Sequence, residues 1–132
     1  MKRREARELF MQLLFQMETQ KDFSEEKKEQ FIELYLTGEN QREYLDRMYL
    51  AAKEHLPEVD AALENASDNW KLSRFAKVDL AVLRLACLEI FFLEEIPDPV
   101  SANEAVELAK KFGGPDSGKF VNGLLGNILR SK

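Results

Sequence analysis

From Leu80 to Leu93 the only charged residues are Arg84 and Glu89, and from Val78 onward the run is apolar almost all round. A helix with no polar face is stable only when neighbours cover it on several sides. The run is too short and too often interrupted to cross a bilayer. It therefore predicts a buried central helix, and the rest of the chain must supply the helices that surround it.

The flanking sequence has the required period. Ala6, Phe10, Leu13, Leu14 and Met17 share one face of a helix expected over about Arg3 to Gln20. Ser24 is the expected N-cap of a second helix marked by Phe31, Ile32, Leu34, Tyr35 and Leu36, with Gly38 as its stop. Asn40 and Glu43 have the spacing of a capping box for a third, carrying Tyr44, Leu45, Met48, Tyr49 and Ala52. Pro57 predicts either a kink or a fresh helix start, with Val59 and Leu63 continuing the apolar face to about Ala66. Ser67 to Ser73 is the expected connector between two halves of one domain, about 1–66 and 67–132. After the central helix, Ile96-Pro97-Asp98-Pro99 is a stop. Ser101 and Glu104 suggest a second capping box for a helix that reaches Phe112 and ends at Gly113-Gly114. Asp116 or Ser117 is positioned to cap a last helix with the stripe Val121, Leu124, Leu125 and Ile128. No alternating strand pattern occurs, so the expected fold class is all-α.

A chain of 132 residues with 45% hydrophobic and 33% charged residues has the composition of one globular domain. One cysteine and one histidine exclude a disulfide scaffold and a zinc finger. No signal-peptide or membrane-spanning pattern is present, so the expected compartment is the cytoplasm. Catalysis has little to rest on, and neither a cofactor nor a metal is expected. Cys87 lies in the most apolar helix, where a thiol behaves as a small hydrophobe. His55 is expected near a helix end in a structural or surface role. No phosphate loop, dinucleotide fingerprint or serine elbow occurs.

The charge distribution is more informative than the total of −5. Lys2, Arg3, Arg4 and Arg7 crowd the start, and Lys110, Lys111, Lys119, Arg130 and Lys132 collect toward the end of an otherwise acidic chain. Cations at a helix N-terminus oppose the macrodipole, which invites an anionic partner as their explanation. Phe15 shares a stripe with Arg4 and Met11, nearly opposite the Phe10, Leu13 and Met17 face. That arrangement suits either base stacking beside phosphate neutralisation or a helix buried on two sides. Lys119 and Phe120 repeat the theme at the start of the last helix, where free N–H groups also attract anions. Asp116 there is either an N-cap, an acceptor for a base amino group, or both.

These residues carry a resemblance. Arg3-Arg4-Glu5-Ala6-Arg7, Asp79-Leu80-Ala81-Val82-Leu83-Arg84-Leu85-Ala86, Ile96-Pro97, Asn103-Glu104-Ala105-Val106-Glu107-Leu108-Ala109-Lys110 and Lys119-Phe120-Val121-Asn122-Gly123-Leu124-Leu125 occur in an order and spacing similar to the NusB family of bacterial transcription antitermination factors. The resemblance spans the chain, tightly in the C-terminal half and loosely between Thr19 and Asn69. It implies two perpendicular three-helix units. It also implies binding of boxA-type single-stranded RNA in ribosomal RNA leaders, together with a ribosomal small-subunit protein called NusE in its transcription role. The implied outcome is passage of RNA polymerase through terminators within an antitermination complex, and ribosomal RNA maturation. Carried over by position, the implied RNA contacts are Arg3, Arg4, Arg7, Phe15, Phe112, Asp116, Lys119 and Phe120. The implied partner surface includes Lys77 and Asp79. Glu5 interrupts the arginine run, and Phe15 stands where the family often has tyrosine. Relatives occur as monomers and as homodimers that cover the RNA face. A helical protein–protein adaptor without RNA binding is the rival reading, favoured by the acidic total charge.

Overall fold

The computed structural model describes residues 1–132 and contains six α-helices and no strand. They are α1 (Arg3–Gln20), α2 (Glu25–Tyr35), α3 (Arg42–Ala66), α4 (Lys77–Phe92), α5 (Asp98–Phe112) and α6 (Ser117–Ser131), with one 3-10 turn at Leu72–Arg74. The all-α expectation holds. Helix α4 is the apolar run, and every residue from Asp79 to Ile90 is buried. Around it, α1, α3, α5 and α6 all pack directly. One cluster of 36 buried apolar residues draws on all six helices, so a single core holds the chain together. No helix is long and apolar enough to cross a membrane.

Local chemistry explains the helix ends, and several differ from the sequence expectation. Ser24 caps α2 as expected, its Oγ accepting from the Lys27 N–H at 3.1 Å. That helix stops at Leu36, however, and Gly38 lies beyond the cap in the left-handed region at φ 77°. Asn40 does not cap α3, whose N-cap position is Gln41. The Asn40 amide is engaged by the chain start instead: it donates to the Met1 carbonyl at 2.7 Å and accepts from the Met1 amino group at 3.2 Å. Pro57 starts no new helix. Helix α3 runs through it, with the carbonyl that loses its partner, that of Lys53, on an exposed residue. His55 consequently lies inside α3 rather than near an end, half-exposed and stacked on Phe92 at 4.2 Å.

The second expected capping box is also absent. Helix α5 begins at Asp98, with Pro97 as N-cap and Pro99 in the first turn, where a missing N–H costs nothing. Ser101 and Glu104 are thereby placed inside the helix and are free for other roles. Gly113 ends α5 as expected. A Cβ there would collide with the Ser117 side chain and the Ala109 carbonyl, so the turn into α6 requires glycine. Cys87 is fully buried, and burial pushes its thiol up to about 12.

Both charges of the apolar run are buried and paired. Arg84 donates to Asp60 on α3 at 2.9 and 2.8 Å and to Glu18 on α1 at 2.7 Å. Glu89 accepts from Arg7 Nε at 2.8 Å, from Ser101 Oγ at 2.7 Å and from the Tyr44 hydroxyl. Burial, and then the Glu89 charge, raise the Tyr44 phenol well above its ordinary range, so it remains a donor. Together Arg84 and Glu89 fix α4 to α1, α3 and α5, and they set the orientation of the basic chain start.

Candidate nucleic-acid interface

The N-terminal arginines separate by helical phase. Arg7 falls on the inward face with Phe10 and Leu14, and it is 6% exposed in its pair with Glu89. Arg7, expected at the RNA face, is thus turned inward onto α4 in this structure. Desolvation opposes its charge, but the hydrogen bond and charge of Glu89 outweigh it and hold its pKa above the ordinary value. Arg3 is half-buried, its Nε donating to Gln41 Oε1 at 2.7 Å and its guanidinium 4.3 Å over the Tyr44 ring. Arg4 alone of the three projects into solvent, with its side chain 73% exposed beside Glu104. Glu5, which interrupts the arginine run, accepts from the Lys2 backbone N–H at 2.8 Å. It supplies the negative charge that a helix N-terminus favours.

Phe15 and Phe112 are far apart in sequence and come together in space. Both line a largely apolar groove of about 400 Å³ with Met11, Gln12, Gln16, Phe31, Tyr35 and Val78. Phe15 is half-buried, whereas Met11 is only 2% exposed. The stripe opposite the main apolar face is thus a second packed edge, and α1 is buried on two sides there. Lys111 lies 5.2 Å from the Phe112 ring centroid and donates to Glu8 at 3.1 Å. The groove accordingly combines three accessible aromatic rings, those of Phe15, Phe112 and the exposed Tyr35, with the Lys111 cation at its rim.

Asp116, Lys119 and Phe120 form a second group at the start of α6. Asp116 occupies the N-cap position, yet its carboxylate makes no capping hydrogen bond and stays exposed. Lys119 is exposed, and Phe120 is half-buried, meeting Phe75 edge-on at 5.5 Å and Trp70 at 6.5 Å. These three line a hollow of about 580 Å³ with Trp70 and the end of α3. The two groups flank the first turn of α4, since Val78 lines the groove while Ala76 and Asp79 line a depression beside Phe120.

Lys77 is exposed, but Asp79 is 7% exposed rather than lying on an open surface. Its Oδ1 is buried and accepts no hydrogen bond from the chain, a costly state for a carboxylate. The sequence pattern does not single out Trp70. It is 47% exposed with the Arg74 guanidinium 5.2 Å over its ring. A lone tryptophan in a polar connector was the signal available for it. Lys111 was legible only as one of a basic set, because its place at the groove depends on how α5 meets α1.

An aromatic-lined groove with a cation at its rim can stack unpaired bases while neutralising the backbone beside them. Known proteins resemble the chain over nearly its whole length. The sequence profile of the NusB family matches residues 4–130. The transcription antitermination protein NusB of Acetivibrio thermocellus is 46% identical over 132 residues, covering 100% of this chain and 91% of that protein. The structure of T. maritima NusB superposes with a TM-score of 0.88 at 35% identity, covering 98% of this chain and 92% of that one. A crystal structure of antitermination factors NusB and NusE in complex with dsRNA contains a chain that superposes equally well, at 0.88 and 25% identity, covering 98% of this chain and 97% of that one. With near-complete matches in both sequence and structure, the chain belongs to the NusB family.

Proposed function

We propose that this chain is a transcription antitermination factor that binds boxA-type single-stranded RNA of ribosomal RNA leaders together with NusE. In that role it promotes read-through by RNA polymerase and ribosomal RNA maturation. The observation that carries the RNA reading is the meeting of Phe15 and Phe112 in one groove, with Lys111 of α5 beside it and Arg4 exposed further toward the start of α1. The RNA path runs from this groove past the first turn of α4 to Lys119, Phe120 and Asp116. It is built across both halves, since residues 1–66 supply α1, the α2 rings of Phe31 and Tyr35 and the end of α3, and residues 67–132 supply the rest. Arg3 contributes at the edge, and Arg7 acts indirectly by holding α1 in place. Lys77 and Asp79 belong to the protein-partner surface. The exposed Lys77 and the unpartnered Asp79 Oδ1 on the same first turn of α4 support that assignment.

Titration of a labelled boxA-type RNA against the chain, with and without the ribosomal partner, tests this reading. Binding that the partner strengthens and that weakens with salt is expected, with a logarithmic slope of about −0.7 per neutralised phosphate. Partner binding with no RNA binding would favour the adaptor reading. Phe15→Ala sharpens the assignment. It should remove about 1–3 kcal/mol of RNA affinity as a stacking surface is lost. Its stability cost should stay below the roughly 3–5 kcal/mol typical of a fully buried phenylalanine. Phe15→Tyr should bind about as well as the parent. A large loss in urea unfolding with unchanged RNA affinity of the folded fraction would make Phe15 a packing residue only.

A further inference from the structure

Lys111, beside the groove, and Arg4, exposed about two turns away on α1, are both held by carboxylates of the same chain. Arg4 Nε lies 3.3 and 3.1 Å from the two Glu104 oxygens, and its Nη2 lies 3.0 Å from one of them. Lys111 Nζ lies 3.1 and 3.3 Å from the Glu8 oxygens. The pairs run in opposite senses. Arg4 and Glu8 stand one turn apart on α1, and face Glu104 and Lys111 on α5. In each pair the anion is the more covered member: Glu104 is 17% exposed against 73% for Arg4, and Glu8 27% against 62% for Lys111. Arg7 Nη1, 3.9 Å from Glu104, fixes that carboxylate further. Each carboxylate thus presents a fixed anion to a solvent-facing cation, and Glu104 does so in the forked geometry that an RNA phosphate would use.

We propose that Glu104 and Glu8 compete with the RNA backbone for Arg4 and Lys111, and so set the strength and selectivity of RNA binding. This rests on the reading that the groove takes single-stranded RNA. A phosphate reaching Arg4 must first displace Glu104. Exposed pairs of this kind are weak enough to exchange. A free cation releases a condensed counterion from RNA at no internal cost, whereas a clamped cation must give up its carboxylate and leave that charge to attract cations again. A generic polyanion therefore gains little from this face. An RNA whose bases also occupy the groove offsets the exchange by stacking, so the two carboxylates favour it over backbone charge alone.

The test compares Glu104→Gln and Glu8→Gln with the parent chain, the ribosomal partner present in every titration. The probes are a boxA-type RNA and a polyuridine of equal length, titrated over a series of salt concentrations. Each variant should tighten polyuridine binding up to about fivefold at low salt and steepen its salt slope by up to about 0.7. BoxA-type RNA should gain less, so discrimination falls. Arg4→Ala should abolish the gain from Glu104→Gln. If Glu104→Gln fails to keep its helical circular dichroism, Glu8→Gln decides the matter alone. Unchanged or weaker polyuridine binding by a folded variant, with the parent binding boxA-type RNA, would overturn the proposal and leave the RNA reading standing. A parent chain that binds neither RNA would overturn both.

Discussion

Glu89→Ala is expected to lower unfolding stability by about 3–5 kcal/mol, the range found when one member of a buried ion pair is removed. The deleted carboxylate accepts from Arg7, Tyr44 and Ser101, which lie on α1, α3 and α5. Arg7, 6% exposed, would be left charged without its partner, and two hydroxyl groups would lose their acceptor. Glu89→Gln keeps an oxygen for part of this network and should cost less. Replacing Arg7 and Glu89 together by methionine should recover part of the alanine loss, because no buried charge then remains. Urea unfolding followed by circular dichroism measures all three variants. A loss below about 1 kcal/mol for Glu89→Ala would show that Arg7 escapes to solvent freely, contrary to the packing described.

Leu83→Ala should cost about 2–5 kcal/mol, through lost apolar burial plus the cavity left behind. Leu83 is fully buried near the middle of α4, the helix on which α1, α3, α5 and α6 converge. Covered from several sides, the site has little freedom to collapse, which favours the upper part of that range. Leu88, equally buried, should behave alike. The same unfolding measurement applies, and a neutral effect at both positions would contradict α4 as the centre of the core.

The sequence made α4 legible because an all-round apolar helix has one physical solution, burial by neighbours. The outer helices followed from their 3.6-residue period. Capping was harder to read, since Asn40, Ser101 and Glu104 have cap chemistry but find stronger tertiary partners in Met1, Glu89 and Arg4. Propensity at a helix end is a local signal, and a long-range hydrogen bond overrides it. The candidate site divides in the same way. Arg4, Phe15, Phe112, Lys119 and Phe120 reach accessible positions, whereas Arg7 and Asp79 are drawn inside. Arg84 and Glu89 announced themselves as charges in an apolar run, so their need for partners was visible. The partners' identities depended on how α4 meets α1, α3 and α5. Trp70 acquires its setting only when the connector folds beside Phe120.

Amide chemical-shift mapping of the isotopically labelled chain, titrated with boxA-type single-stranded RNA in the presence of the unlabelled ribosomal partner, tests the placement of the RNA face most directly. Difference from the RNA-free complex isolates the RNA contribution. The expected perturbations centre on the outward side of α1 around Arg4 and Phe15, the end of α5 at Lys111 and Phe112, and the start of α6 through Phe120. Perturbations confined to the exposed face of α3, with those three segments unmoved, would contradict the account.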